Sequence, residues 1–355
     1  MKPCCQPFHF SIHNLVRVRV CGPDFLMRPI TREFASFEDK GPQNQDELDL
    51  DISLAILKKA NLGDKGKEPK RNAAPDEKIF SWEGRHLLAR WRAGLSASDK
   101  KPARLTFEGN WLSRFIVSKW IVEPAVRIVI EKKGALMIHA AALTDGEQAV
   151  LVAGPGGAGK TTWVLNWLAA GHPYMSDDFT LLNQGRALSY VTPMRLGLMN
   201  LRTNSILQHL RLREKGAIAL RTAVRRASLG RVKFYYKVMP LAAAPGIKIA
   251  DSVKISGAIW LTPDTESQTC SPEEIARLMS EVDRAEMHGF GQAAKMGGQE
   301  LCPDSFWASH RKRLGFALQD KSCFSLRAHE LPPQALDSIS SLLAWATEKS
   351  AGRSG

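Results

Sequence analysis

What this chain of 355 residues lacks narrows its function first. No apolar run approaches the ~20 residues that a membrane-spanning helix requires. The longest, 135–143 and 148–153, are less than half of that, so no membrane partner is expected. The first twenty residues never assemble the apolar stretch of a secretory signal, and export is not expected either. Cysteine is scarce: six residues, Cys4, Cys5, Cys21, Cys270, Cys302 and Cys323, follow no C-x-x-C spacing and are too few for a disulfide framework. That usage suits a reducing, cytoplasmic setting. Cys4 or Cys5 with His9 and His13 matches no zinc spacing, and no metal site is expected there. Acidic residues are short, 36 against 49 Lys and Arg, leaving a net charge of +13. The surplus attracts phosphates, nucleic acid or acidic peptides without bearing on fold. No internal repeat and no nucleic-acid-binding motif accompany it, so nucleic acid is not the expected partner.

What is present is ordinary globular composition, 44% hydrophobic and 24% charged, in a chain long enough for two domains. Residues 8–20 alternate loosely between apolar and polar, as a half-buried strand does, and 1–38 reads as a small β-rich region. Residues 39–78 are rich in Asp, Glu, Lys, Asn, Gln and Pro and read as a charged linker with at most one short helix. Trp111, Phe115, Val117, Ile121, Val126 and Ile130 recur at helical spacing, so 79–132 reads as a helical lead-in, with Pro124 breaking or kinking it. The main domain is expected over 133–350.

Its opening carries the chemistry. The apolar runs 135–143 and 148–153 are joined by Thr144-Asp145-Gly146-Glu147, a hairpin signal because Asp-Gly tolerates the positive φ of a tight turn. The second run leads into Gly154-Pro155-Gly156-Gly157-Ala158-Gly159-Lys160-Thr161, which satisfies G-x-x-x-x-G-K-[ST] at every fixed position. A helix follows from Lys160, stopped by Gly171. Glycines let consecutive N–H groups turn inward on phosphate oxygens, and the helix start adds its positive dipole end. Residues 174–182 read as the next strand, with Asp177 and Asp178 adjacent inside it. Alternation sends the pair to opposite faces, one toward phosphates and one toward a supporting partner. Asp264 is a rival acidic residue, although Thr262-Pro263-Asp264 reads as a turn. His139 stands alone in the first apolar run, where a core role and a functional one are both open. Later segments read as a strand over 254–261, a helix over 272–282 and an amphipathic helix over 332–347.

Together, His139, the hairpin, Gly154 to Thr161, the short helix and Ser176-Asp177-Asp178 resemble the HPr kinase/phosphorylase family and its broader group of HPr-kinase-related proteins. The resemblance covers residues 135–182 and loosens through 261. It implies an α/β fold: a P-loop core of mixed β-sheet with flanking helices, related to phosphoenolpyruvate carboxykinase, beside a smaller β-containing N-terminal region. It also implies an ATP- and Mg²⁺-dependent kinase that phosphorylates a Ser or Thr hydroxyl of a protein or peptide. Carried over, Gly154, Pro155, Gly156, Gly157, Ala158, Gly159, Lys160, Thr161 and Thr162 hold ATP. Thr161 and Asp177 hold the metal, Lys160 acts on the terminal phosphates, one of Asp177 and Asp178 is the base, with Asp178 the preferred of the two, and His139 orients the acidic pair. The family's founding enzymes have a Glu in an E-x-R-G-x-G-type signature. Here the nearest stretch, 190–200, has Thr192 and Pro193, with Arg195 as a cation for the phosphates. Phosphorolysis and the classical carrier substrate are therefore not carried over. A small-molecule kinase of the same fold, and a nucleotide-binding regulator without phosphotransfer, are the alternative readings.

The charge surplus is local. Residues 201–240 hold ten cations, Arg202, Arg211, Arg213, Lys215, Arg221, Arg225, Arg226, Arg231, Lys233 and Lys237, against Glu214, a net of +9. The window reads either as a solvated basic helix or loop, or as a surface that attracts an acidic substrate. A homo-oligomer is left open.

Overall fold

The computed structural model describes residues 6–41, 47–57, 78–97, 102–228, 235–262, 267–293, 301–327 and 331–352. The fold is α/β, with mixed sheets and several helices. The chain forms two compact units, one from Met1–Gly134 with Ala285–Trp307, the other from Ala135–Arg284 with Ala308–Gly355. Among the described residues no helix is long and apolar enough to cross a membrane.

The first unit is built on β1 (Phe8–Ile12), β2 (Val16–Cys21), α1 (Asp24–Glu33), β3 (Leu50–Ile56), β4 (Lys78–His86), β5 (Ala89–Ala97) and β6 (Ala103–Gly109). Its six-stranded sheet runs β1-β2-β3-β6-β5-β4, with β3 parallel to both neighbours. Every second residue of β1 and β2 is buried, which is the alternation seen in the sequence. Arg19 and Asp51 sit opposite each other on β2 and β3 and form a two-bond ion pair at 2.9 and 2.7 Å. A 3₁₀ turn (Trp111–Phe115) and a π-helical turn (Val117–Val122) then lead into α2 (Glu123–Lys132). Pro124 lies in the first turn of α2, directly after the π-helical turn, so the chain changes helix type where the sequence placed a break or kink.

Two expectations fail here. The charged stretch 39–78 is not simply a linker, because Leu50–Ile56 pairs as β3 in mid-sheet; its parts 42–46 and 58–77 lie outside the described residues. The described residues 79–97 and 102–109 are not helical. Phe80 and Trp82, then Trp91, Ala93 and Leu95, then Leu105 and Phe107 are buried at every second position, a strand period that competes with helical spacing only from Trp111 onward. The β4–β5 turn escapes notice because it uses Leu87 at φ 52° in place of a Gly or Asn.

The second unit carries β7 (Leu136–Ile138), β8 (Ala140–Thr144), β9 (Gln148–Ala153), α3 (Lys160–Ala169), β10 (Tyr174–Ser176), β11 (Thr180–Asn183), β12 (Arg186–Leu188), β13 (Met194–Leu196), α4 (Leu198–Thr203), α5 (Leu212–Ala227), β14 (Tyr236–Val238), α6 (Pro240–Ala243), β15 (Ser252–Thr262), β16 (Gln268–Thr269), α7 (Pro272–Ala293), α8 (Asp304–Leu318), β17 (Ser322–Arg327) and α9 (Ile339–Ser350). Its main sheet runs β10-β8-β9-β15-β12-β11-β7, with β17 also on β15. β15 is parallel to β9 and β17, whereas β8 and β9 form the expected antiparallel hairpin. One face packs Val150, Val152, Trp163, Leu168, Ile259 and Leu342 under α3 and α9. The other packs Leu151, Ala258, Ile275, Met279, Leu314 and Leu318 under α7 and α8. Burying each such side chain stabilises by about 1.5–3 kcal/mol, so the strands between these layers are the firmest platform in the unit. The expected single run 133–350 is interrupted, since 285–307 belongs with the first unit.

Candidate functional site

The site forms where strands stop. β9 ends at Ala153, and the chain turns through 154–159 into α3. Gly154 passes so close to β15 that a Cβ there would lie 2.7 Å from the Leu261 carbonyl oxygen. Gly159, the residue before the helix, has φ 104°, a left-handed conformation that favours glycine. By contrast, a Cβ on Gly156 or Gly157 would meet nothing within 4 Å, so the rim of the loop faces open space. Lys160 is buried, and its Nζ donates to the Gly154 carbonyl at 2.8 Å, folding the side chain back over the loop.

A second discontinuity lies beside the loop. The single strand expected over 174–182 is two: β10 pairs with β8, and β11 pairs with β7. Both partners break at the same level, between β7 and β8 at His139 and between β10 and β11 at Asp177, Asp178 and Phe179. The Ser176 and Thr180 hydroxyls bond to each other at 2.5 Å across the gap, and Thr180 Oγ1 donates to the Ala140 carbonyl at 2.7 Å. The second bond satisfies a backbone carbonyl at the edge of the gap. Asp177, Asp178 and Phe179 lie outside both strands, so the alternation expected for a single strand does not apply to the acidic pair.

Asp177 is buried, and the Thr161 hydroxyl of α3 donates to it. Burial first, and the adjacent Asp178 charge second, push its carboxyl up to about 7, against the opposing pull of Thr161, Arg195 and Lys160. Its Oδ1 is buried with no hydrogen-bond partner among the described residues. Asp178 is half-buried and pairs through Oδ2 with Arg195 of β13 at 2.9 Å. Its Oδ1 lies 3.6 Å from His139 Nδ1, too far for a direct hydrogen bond. The His139 ring rests edge-on against Phe179, with centroids 5.1 Å apart.

Two residues that the sequence did not suggest hold this arrangement from behind. The His139 backbone N–H, at the crossing between β7 and β8, donates to Asp283 Oδ1 of α7 at 2.7 Å. Asp283 Oδ2 in turn bonds to His310 Nε2 of α8 at 2.9 Å, and both side chains are fully buried. Asp283 lies 144 residues from His139 in sequence, and neither it nor His310 belongs to a recognisable motif. Helical spacing that brings Asp283 to the buried side of α7 was the only available signal.

The structure thus brings Lys160, Thr161, Asp177, Asp178, Arg195 and His139 together. Thr162 also lies on α3, and its hydroxyl accepts from Asn200 Nδ2 at 3.3 Å. Asp264 and Cys4 and Cys5 lie outside the described residues. The hydroxyl of Thr161 and the unsatisfied oxygen of Asp177 are the hard oxygen donors that Mg²⁺ takes, so the residues fit the ion. Among the described residues no group of three or more His, Cys, Asp or Glu is arranged around a metal position. Two such donors leave most of an octahedral shell to be filled from outside the protein. No family model matches this chain, and no curated protein matches it.

Proposed function

We propose that this chain is an ATP- and Mg²⁺-dependent phosphotransferase of the HPr-kinase-like type, acting on a Ser or Thr hydroxyl of a protein or peptide. The observation that carries the reading is the meeting of two features. A glycine loop with an inturned lysine precedes α3, and an acidic pair in a strand break reaches the same helix through the Thr161–Asp177 bond.

In this reading, loop N–H groups and the α3 N-terminus bind the phosphates, with Lys160 exchanging the Gly154 carbonyl for phosphate oxygens. Thr161 and Asp177 would hold Mg²⁺, which when bound would supply neutralisation of phosphate charge. Asp178 takes the acceptor hydroxyl proton as the acceptor oxygen bonds to the γ-phosphorus and the bond to the β-phosphate oxygen breaks. Arg195 moves from Asp178 to the transferring group, and His139 keeps the Asp178 carboxylate aimed.

A second reading, nucleotide binding without transfer, draws support from the Arg195–Asp178 pair, because the carboxylate needed as base already has a cation on it. γ-Labelled ATP, Mg²⁺ and the products of neighbouring genes distinguish the two. Transfer of label to a polypeptide is expected, reduced by about 10²–10⁴-fold in Asp178→Asn, as for loss of a general base. Label appearing only as free phosphate, at a rate unchanged in Asp178→Asn, rejects the kinase reading.

A further inference from the structure

Within the basic window, α5 turns a largely apolar face outward. In α5, Leu212, Leu220 and Val224 are 87%, 65% and 39% exposed, and Gly216, Ala223 and Ala227 are exposed with them. At 100° per residue these six fall in one sector of about 120°, with Arg213 the one charged residue inside it. Ile218 and Thr222 are buried on the opposite side. Of the other cations, Lys215 and Arg226 lie beyond one edge of the sector and Arg221 beyond the other, while Arg225, with Glu214 between it and Arg221, falls toward the buried side. They are turned sideways: Arg221 donates to the Tyr235 carbonyl at 3.0 Å, Arg225 to the Tyr235 hydroxyl at 2.9 Å, and Lys215 to the Gln208 carbonyl at 2.7 Å. A helix adapted only to solvent puts its charges outward and its leucines inward. This one offers water an apolar strip with exposed Arg213 at one edge and exposed Arg226 beyond the other.

The strip is also joined to the candidate site. Thr222 Oγ1 accepts the Leu198 N–H at the start of α4, at 3.2 Å, and α4 reaches Thr162 of α3 through Asn200. α5 packs on β14, whose partner β13 carries Arg195 to Asp178.

We propose that the exposed face of α5 docks an amphipathic acidic helix of the phosphate-accepting polypeptide, leucine-like side chains on the strip and carboxylates on its two margins. The inference rests on the phosphotransfer reading for the identity of the partner. Charge complementarity selects a carboxylate-bearing occupant, since five cations face one anion along this helix. A second copy of the chain is disfavoured because it sets like margins against each other. A lipid surface is disfavoured because the strip has no Trp or Phe, and Gly216, Ala223 and Ala227 make a shallow groove suited to the ridges of another helix.

The test uses the full chain without nucleotide and a fluorescein-labelled amphipathic peptide, Leu at i, i+3, i+4 and i+7 with Glu on both flanks, followed by anisotropy. Saturable binding is expected for this peptide and none for its Lys-for-Glu counterpart. Leu220→Glu should weaken binding at least about ten-fold at all salt concentrations. Arg213→Glu with Arg226→Glu should weaken it similarly at low salt, with the difference vanishing near 0.5 M, where screening is short-ranged. Leu212→Ser provides a second apolar variant should Leu220→Glu disturb folding. Equal binding of both peptides, or of wild type and the apolar variants, overturns the proposal. So does sedimentation with phosphatidylglycerol vesicles, or dimerisation by light scattering, that Leu220→Glu abolishes. Because nucleotide is absent, loss of docking and loss of phosphotransfer are read separately.

Discussion

At the scale of single residues, Asp177 carries the sharpest consequence. Its folded pKa of about 7 exceeds the ordinary carboxylate value near 4, so between those limits the folded chain binds more protons than the unfolded one. Stability linked to this group is therefore fully present below about pH 4 and is lost as pH rises through 7. Asp177→Asn keeps an oxygen for the Thr161 hydroxyl and removes the charge. In metal-free buffer with chelator, the variant should melt several degrees above wild type at pH 8 and close to it at pH 4.5. Differential scanning calorimetry checks this, at roughly 2–4 °C per kcal/mol for a domain of 150–250 residues. Equal melting shifts at both pH values contradict a strained, buried carboxylate. On the proposed phosphotransfer reading the same charge cost favours a bound cation, because a carboxylate that is expensive to ionise alone gains most from one.

At the scale of elements, the decisive feature is the shared break between β7 and β8 and between β10 and β11. It turns two strands toward different neighbours and frees His139, Asp177 and Asp178 from the ladder. The crossing is held by Asp283 on the His139 N–H, and Asp283 is in turn paired with His310. Asp283→Ala leaves both partners buried without their acceptor and should destabilise by roughly 3–5 kcal/mol in urea unfolding. Asp283→Asn retains an oxygen for the N–H and should cost clearly less. If the two variants unfold alike, the N–H bond does not hold the crossing. Much around this break was legible in sequence: the hairpin at Asp145-Gly146, the loop with Lys160, and α3 ending before Gly171 are local signals with local causes. The break itself was not, because Tyr174 to Leu182 shows no Gly or Pro, and Ser176 and Thr180 on either side of the acidic pair are as compatible with one strand as with two. Asp283 and His310 were invisible because a carboxylate on a long helix looks solvated until the fold buries it. β4 to β6 were missed because the helical period from Trp111 was extended backward over an alternating stretch.

At the scale of the whole molecule, the chain crosses between its two units more than once, so function and stability do not divide at one cut. Residues 285–307 leave the unit that holds the glycine loop and pack within the other: Phe290 lies edge-on to Trp82 at 4.9 Å, and Trp307 sits 5.8 Å from the Arg127 guanidinium, both buried. A boundary drawn at residue 133 from the sequence separates those aromatic residues from their partners. α7 and α8, which supply Asp283 and His310, also extend into this segment. Expressing 135–355 alone should therefore give a fragment that keeps the motif but exposes Phe290 and Trp307, binds the dye ANS and unfolds with lower cooperativity than the full chain. Removing 285–307 from that fragment and joining the ends with a short Gly/Ser linker should reduce ANS binding, because the exposed aromatic residues go with it. A fragment 135–355 that is monomeric, dye-silent and as cooperative as the full chain contradicts the assignment of 285–307 to the first unit. Because the helices behind His139 run into that segment, ATP affinity in the fragment should fall together with its cooperativity.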